Sequence, residues 1–190
     1  MLQPAHVGHL AMLRTLIRQG AADGSFDREL GANTPGSEEF FSKLKRALVT
    51  GYFVEEGRGG KIDTVAVPGF VYWPDGKHSG TAPAGFGLFR ALGSGGYELW
   101  LAGLDLGTRG GGHGRALLAA LFATSPGQST WIVRAQRTSR YAKALHHLLA
   151  DFGFQPVGDT ARLRWFMHSE APAELASQVR DIVEARRALN

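Results

Sequence analysis

Cysteine is absent from the 190-residue chain, which excludes disulfide bonds, thiolate metal sites and a cysteine nucleophile. Long apolar segments are absent as well, because no run approaches the roughly 20 residues that span a bilayer. The first residues lack the cationic and apolar regions of a secretory signal peptide, so we expect a cytoplasmic protein. Lysine is scarce, with five residues against sixteen arginines.

The composition is otherwise that of a globular protein. Hydrophobic residues make up 44% of the chain and charged residues 20%, and we expect one domain over residues 1–190. Arginine carries most of the formal net charge of +4. Arginine binds phosphate in a bidentate manner, although its excess is equally explained by compositional bias. The modest basic charge does not indicate nucleic-acid binding, since no RNA-binding signature accompanies it.

A glycine-rich turn separates a predicted strand from a predicted helix. The apolar run Tyr97–Leu106 leads into Gly-Thr-Arg-Gly-Gly-Gly-His-Gly, and a helical pattern follows over 115–124. The first N–H groups of a helix have no intrahelical partner, and the helix dipole adds partial positive charge there. We therefore expect a phosphate-bearing ligand at this turn. The alternative is that the glycines serve only a tight turn.

The spacing of the glycines distinguishes between known phosphate-binding loops. The turn lacks the Gly-Lys-Ser/Thr of a Walker loop, and Leu117 stands where a dinucleotide fingerprint has its third glycine. Arg109-x-x-Gly112-x-Gly114 does match the pattern Arg/Gln-x-x-Gly-x-Gly/Ala. Here the chain resembles the GNAT superfamily of acyl-CoA-dependent N-acyltransferases. The resemblance implies that the turn wraps the pyrophosphate of coenzyme A (CoA).

The resemblance extends to both sides of the turn and covers most of residues 1–168, most strongly 85–154. Leu104 lies five residues before Arg109, where the family ends a strand whose main chain bonds the pantetheine and the acyl carbonyl. The segment Ser139–Phe154 carries Ser-x-x-Ala-x-x-Leu-His and then Gly-Phe, similar to the family's Asn-x-x-Ala-x-x-Leu-Tyr and Gly-Phe. The implied CoA-binding residues are Leu104, Asp105, Leu106, Arg109, Gly110, Gly111, Gly112, His113, Gly114, Arg115, Ser139 and Arg140.

Hydrophobic periodicity and turn residues predict five helices and six strands. The predicted helices cover Val7–Gln19, Glu38–Val49, Arg115–Thr124, Ser139–Asp151 and 171–188. The predicted strands cover Tyr52–Glu55, Thr64–Trp73, Gly85–Leu92, Tyr97–Leu106, Trp131–Ala135 and Arg162–His168. The resemblance implies a seventh, first strand at Leu2–Ala5. Together with the resemblance, this order predicts an α/β (α+β) fold with a GNAT-like mixed, mostly antiparallel central sheet of six to seven strands flanked by helices.

Local signals refine this prediction. Ser37 is a suitable N-cap for the second helix, and Pro68 indicates an edge or a bulge in its strand. Hairpin connections are predicted at 74–77 and 93–96. The last helix lies beyond the family core of about residues 1–168, and whether it packs on the sheet edge or joins a dimer stays open. Its apolar face is predicted from Leu175, Val179, Ile182 and Val183.

Acyl transfer to an amine requires removal of a proton from the amine. Glu98 is the candidate base, because it lies six residues before Leu104 and is expected on the same strand face. Several family members carry their glutamate base at this spacing. Alternatively, Glu98 bonds the backbone or lies on a solvated face of the sheet.

The departing thiolate benefits from an acid. His146 stands where many family members have a tyrosine, and an imidazolium donates a proton near neutral pH. The spacing from His146 to Gly153 is three residues longer than in the family. If the helix is aligned from Gly153 instead, Leu149 takes the position of the acid. Tyr141 is the fallback acid, and solvent is a further source of the proton.

The start of the fourth predicted helix offers additional donor contacts. Ser139 replaces the family's asparagine on the pantetheine arm and is also a suitable N-cap. Arg137, Arg140 and Lys143 are placed to meet the CoA 3′-phosphate, or else form a solvated helix start.

The sequence thus predicts a GNAT-type N-acetyltransferase that passes an acetyl group from acetyl-CoA to an amine by direct attack. No metal is expected, since His6 and His9 lack a third ligand. The acceptor is open among a small molecule, a protein and aminoacyl-tRNA, with its pocket expected around 21–36 and 74–84. A homodimer is left open, and no membrane partner is expected. The alternatives are a non-catalytic module that binds CoA or a partner on a GNAT scaffold, and a nucleotide-binding domain of another family.

Overall fold

A seven-stranded sheet forms the centre of the molecule, and a two-stranded hairpin lies beside it. The structure, a computed structural model, describes residues 1–56, 62–74 and 82–188. Within them the strands are β1 (Leu2–Pro4), β2 (Tyr52–Glu56), β3 (Ile62–Ala66), β4 (Gly69–Tyr72), β5 (Gly85–Ala91), β6 (Tyr97–Leu104), β7 (Thr130–Gln136), β8 (Phe154–Asp159) and β9 (Leu163–His168). The order β1-β4-β5-β6-β7-β9-β8 is antiparallel except between β6 and β7. The predicted mixed, mostly antiparallel sheet is confirmed.

Helices pack on both faces of this sheet. In the described residues the α-helices are α1 (Leu10–Ala22), α2 (Pro35–Thr50), α3 (His113–Phe122), α4 (Ala142–Asp151) and α5 (Ala173–Ala188). On one face, α1 and α2 pack over β4 to β6 through residues such as Ile17 and Phe41. On the same face, α5 packs over β7 and β9 through residues such as Val179. The other face carries α3 and α4, through residues such as Leu121 and Leu149. No helix in the described ranges is both long enough and apolar enough to cross a membrane.

Three predicted helix starts were wrong. The second helix begins at Pro35 with Thr34 as its cap, not after Ser37, because proline fits the first helical position, where no N–H is needed. The first begins as a 3-10 turn at Val7–His9 and becomes α-helical at Leu10. The fourth begins at Ala142, three residues later than predicted.

Two strand predictions were also wrong. The segment 64–73 divides into β3 and β4, which belong to different sheets, and the break contains Pro68, which has no N–H to donate to a ladder. Strand β8 was missed, because Pro156 and Gly158 interrupt its alternation and coincide with a register shift against β9. The hairpin at 93–96 is present, closed by a hydrogen bond from the Leu92 N–H to the Gly96 carbonyl at 3.0 Å. Residues 75–77 of the other predicted hairpin lie outside the described residues.

A β-bulge in β6 decides which side chains face which layer. Leu101 is paired with Leu88 and Leu99 with Phe89, so Trp100 is an extra residue on β6. The bulge reverses the alternation of side chains between its two sides. Leu99 and Leu104 therefore face α3 and α4, while Glu98 faces the opposite layer with the partner of its strand pair, Arg90. The expectation that Glu98 shares a face with Leu104 was wrong for this reason.

Candidate active site

The parallel strands β6 and β7 separate part-way along their length. Tyr97–Leu99 of β6 pair with residues of β7 from Thr130 to Val133. In the described residues the two strands do not pair beyond this point. A cavity of about 740 Å³ occupies the opening, a size typical of ligand sites. The carboxyl-terminal part of β6, including Gly103 and Leu104, lines one side, and Arg134–Gln136 of β7 lines the other.

The glycine-rich turn closes one end of this cavity. Gly110, Gly111 and Gly112 have φ values of +99°, +54° and +83°, which side chains with a Cβ rarely adopt. Gly112 is the N-cap of α3, and it has no side chain to bond the first N–H groups of the helix.

These amides are therefore left without acceptors. The His113 N–H donates to the Gly110 carbonyl at 3.1 Å. Within the part of the chain that the structure describes, the N–H groups of Gly111, Gly112, Gly114 and Arg115 donate to no protein acceptor. Free amides at a helix N-terminus that borders a cavity form an arrangement suited to an anion.

Arg109 holds the turn to two other parts of the molecule. Its Nε donates to the Leu104 carbonyl at 3.1 Å, and its Nη1 forms an ion pair with Asp23 at the end of α1. Burial favours a higher pKa for Asp23, but hydrogen bonds from Ser25 and Arg109 outweigh it and leave the pKa below its usual value. The Asp23 side chain is only 7% exposed, so this ion pair is a structural link between α1 and the turn.

Ser139 and Tyr141 line the cavity next to this ion pair. Ser139 Oγ lies 3.0 Å from Ser25 Oγ and accepts the Tyr141 N–H at 3.2 Å, so it caps the turn before α4. The Tyr141 ring lies under two guanidinium groups, with centroid distances of 4.8 Å to Arg109 and 4.7 Å to Arg140. Hydrogen bonding to Arg109 lowers the pKa of Tyr141 below that of an ordinary tyrosine, and Arg140 adds to the effect. Arg140 itself is not among the cavity-lining residues that the structure describes.

Four other predicted residues lie off the cavity wall as far as the described residues show: Asp105, Leu106, His113 and His146. The Asp105 carboxylate accepts the Gly107 N–H at 2.8 Å and Gln19 Nε2 at 3.2 Å, which serves the turn after β6. The His146 ring packs against Phe166, with centroids 5.4 Å apart, and stacks on His147.

Glu98 is buried in an ion-pair network. It is 3% exposed, pairs with Arg134 on β7, and lies 3.9 Å from Arg90 on β5. A buried carboxylate needs such partners to offset its lost hydration. The cavity wall contains Arg134 rather than Glu98, and the Arg134 guanidinium also lies 5.0 Å from the centre of the Trp165 ring. Sequence reasoning missed Arg134, although a lone arginine in the apolar run Trp131–Ala135 is a recognisable signal.

The loop after α1, which is joined to the glycine-rich turn through the ion pair of Asp23 with Arg109, also borders the cavity. Ser25–Asp27, Glu29 and Leu30 of that loop line it, together with Phe40 of α2 and Trp100 at the bulge. The predicted acceptor loop 21–36 therefore contributes to the wall, whereas residues 75–81 of the other predicted loop lie outside the described residues. In the described part of the chain no cluster of three histidine, aspartate or glutamate side chains could hold a metal ion.

Solved structures with the same fold include several acetyltransferases. PaiA N-acetyltransferase from Thermoplasma acidophilum, in complex with coenzyme A, aligns with a TM-score of 0.58 over 88% of this chain and 97% of its own, at 12% identity. A Corynebacterium glutamicum protein described as histone acetyltransferase HPA2 and related acetyltransferase gives 0.56 over 90% and 97%, at 16% identity. Diaminobutyrate acetyltransferase EctA from Paenibacillus lautus, in complex with L-2,4-diaminobutyric acid and coenzyme A, gives 0.53 over 88% and 93%, at 13% identity.

The chain therefore has the GNAT N-acetyltransferase fold. No family model matches the sequence, and no curated protein matches it either.

Proposed function

We propose that this protein is an N-acyltransferase that uses acetyl-CoA or another acyl-CoA as donor. The observation that carries the proposal is the set of free N–H groups of Gly111, Gly112, Gly114 and Arg115, which border a cavity between two separating parallel strands. A diphosphate is a suitable ligand for these donors, because the start of α3 adds the positive end of its dipole. The GNAT fold and the CoA complexes of similar structures support the same donor.

The donor would lie with its pyrophosphate on the turn and its pantetheine arm along the opening between β6 and β7. Leu104 from β6 and Ser139 before α4 line this path. Arg109 would act mainly as a brace, because its guanidinium is already bound to the Leu104 carbonyl and to Asp23.

The reaction would be a direct attack of the amine on the thioester. The chain has no cysteine to carry the acyl group, and the donor carbonyl would lie close to Arg134 and the end of β6. Tyr141 is the better placed acid for the departing thiolate, since it lines the cavity and His146 is packed against Phe166. Glu98 stays a candidate for accepting the amine's proton, although Arg134 stands between it and the cavity wall and cannot pass a proton on.

A pair of substitutions at Gly111 tests the donor site. Asparagine and aspartate both tolerate its φ of +54°, and a Cβ there meets only ordinary contacts with His113. Gly111→Asp places a negative charge beside the proposed diphosphate, whereas Gly111→Asn has the same shape without the charge. By calorimetry we expect the aspartate variant to bind CoA about tenfold more weakly than the asparagine variant, which corresponds to about 1.4 kcal/mol. Pantetheine, which has no phosphate, should bind both variants equally, and equal CoA affinities would contradict the proposal.

A non-catalytic CoA-binding module is the second candidate, because Glu98 is held by two arginines rather than free in the cavity. Turnover separates the two candidates. Thiol release from acetyl-CoA with a panel of amines should exceed the rate without amine and fall in Glu98→Gln if Glu98 takes the proton. Good CoA binding with no turnover on any amine would favour the module.

A further inference from the structure

The arginines on the cavity wall are paired with carboxylates, whereas two carboxylates on the wall have no such partner in the described residues. The lining arginines Arg109, Arg115 and Arg134 each form an ion pair with a carboxylate of the protein. The lining carboxylates Asp27 and Glu29 form no ion pair within the residues that the structure describes. Both lie in the loop after α1, where Asp27 Oδ1 also accepts the Glu29 N–H, and the intervening Arg28 is not among the described residues that line the cavity. The lining side chains of this loop therefore carry negative charge, which favours a cation.

Aromatic side chains line the cavity as well. The rings of Phe40 and Trp100 are in edge contact, with centroids 5.8 Å apart. Phe26 lies against Gly20 and Gly103, and a Cβ at Gly20 would come within 2.3 Å of its ring. The absence of a side chain at Gly20 therefore makes room for the Phe26 ring. Aromatic faces bind apolar groups and attract ammonium ions.

We infer that the acceptor is a small primary amine with a net positive charge and an aromatic or other flat apolar body. This inference rests on the proposed acyltransferase function and adds the class of acceptor. The apolar body would lie among Phe26, Phe40 and Trp100, and the ammonium would enter past Asp27 and Glu29. The ammonium first gives one proton to a base or to solvent. Its nitrogen then bonds the thioester carbon, the carbon–sulfur bond breaks, and the nitrogen loses a second proton, which balances the proton taken by the CoA thiolate.

Three amines test the inference as substrates with acetyl-CoA: 2-phenylethylamine, phenylalanine and 1,4-diaminobutane. Phenylalanine has the same ring with an added carboxylate, and 1,4-diaminobutane has positive charge without a ring. We expect kcat/KM for 2-phenylethylamine to be at least about tenfold higher than for either control. The carboxylate should be repelled by Asp27 and Glu29, and the diamine should lack the aromatic contacts.

A matched pair of variants locates the effect. Glu29→Gln removes one exposed lining charge and should raise the KM for 2-phenylethylamine about fivefold while leaving the KM for acetyl-CoA unchanged. Glu174→Gln removes an exposed carboxylate on α5, which does not line the cavity, and should change neither value.

The outcomes separate the inference from the function on which it rests. Preference for phenylalanine or for the diamine, or no effect of Glu29→Gln, would overturn the acceptor class while turnover itself supports the acyltransferase. CoA binding without turnover of 2-phenylethylamine, and without its binding to the CoA-loaded protein, would also overturn the acceptor class. Failure to bind CoA would overturn the proposed function and this inference together.

Discussion

Asp23 is a residue whose role depends on a partner 86 positions away along the chain. Its carboxylate pairs with Arg109 and so joins the last turn of α1 to the glycine-rich turn. The arginine motif of the turn is visible in the sequence, but its acidic partner is not, because Asp23 lies in a loop with no distinguishing pattern. The contact shows that the turn is supported by side chains as well as by its glycines.

The lowered pKa of Asp23 predicts how this support depends on pH. Because its pKa is lower in the folded than in the unfolded protein, the ion pair stabilises the fold above the unfolded value of about 4, and the contribution is lost as pH falls through the folded value. We expect Asp23→Asn to lower the free energy of unfolding by about 3 kcal/mol at pH 7. In urea titrations the difference from the wild type should shrink at pH 3.

Glu39→Gln is the control for this experiment, since it removes an exposed carboxylate that pairs with Lys43 in the next turn of its own helix. It should leave the urea midpoint unchanged. An equal loss of stability at pH 7 and pH 3 in Asp23→Asn would show that packing, not charge, explains the effect.

Tyr141 makes a prediction about catalysis at the same scale. If its hydroxyl protonates the thiolate, Tyr141→Phe should lower kcat by about 100-fold with little change in CoA affinity. The two neighbouring guanidiniums lower the pKa of Tyr141, so the rate of the wild type should fall at alkaline pH as the hydroxyl ionises. Arg140→Ala should move this alkaline limb to higher pH, because one of the cations that favour the phenolate is lost.

His146→Gln provides the comparison for Tyr141, because the sequence placed His146 in the acid position. Since the ring packs against Phe166 and off the cavity wall, we expect a change of less than about threefold in kcat. A large loss in His146→Gln together with full activity in Tyr141→Phe would reverse the assignment.

At the scale of elements, α5 shows how a correct pattern can still misplace a residue. Leu175, Val179 and Val183 are buried against Ile132, Trp165 and Met167, so the helix packs on the face of the sheet. Ile182 was predicted on the same face but is 42% exposed. A helix turns by 100° per residue, so a stripe at 175, 179 and 183 leaves 182 at its margin.

This packing predicts unequal effects of two truncations on α5. Leu175→Ala removes a buried side chain and should lower the free energy of unfolding by about 3 kcal/mol. Ile182→Ala should change it by less than about 1 kcal/mol, because much of its surface is already in water. Chemical denaturation of both variants measures the difference. Similar losses in the two would indicate that Ile182 is covered in solution, for example by a second copy of the chain.

The bulge in β6 is the element that changed the interpretation of the site. Counting residues from Glu98 to Leu104 assumes strict alternation, and one extra residue at Trp100 reverses it. The apolar and aromatic residues on both sides of the bulge suit a regular strand, so no residue type marks its position. Only the pairing with β5 reveals it.

At the scale of the whole molecule, the cavity connects the two faces of the sheet through the opening between β6 and β7. The glycine-rich turn belongs to the face with α3 and α4, and Phe40 belongs to the face with α1 and α2. A donor and an acceptor entering from opposite faces would therefore meet where the strands separate. The opening is already present in the sheet, because β6 and β7 do not pair beyond Leu99 in the described residues.

Donor binding should stabilise the entire fold by mass action. At a CoA concentration of 100 times its Kd, the free energy of unfolding should rise by about 2.7 kcal/mol, and the melting temperature should rise with ligand concentration. Differential scanning fluorimetry with CoA, ATP and NAD at equal concentrations measures the effect. We expect only CoA to shift the melting temperature, and a larger shift with ATP or NAD would indicate another nucleotide ligand.

The sequence by itself determined the features that depend on neighbouring residues. The helices, most strands and the glycine-rich turn before α3 follow from periodicity, capping and the conformational freedom of three consecutive glycines, all of which act within a few residues. The tertiary structure alone decided the pairing of Asp23 with Arg109, the burial of Glu98 against Arg134, and the aromatic residues on the cavity wall. These features join residues far apart in the chain, and their positions depend on strand register and on one bulge, which are set by packing across strands and not by neighbouring residues in the sequence.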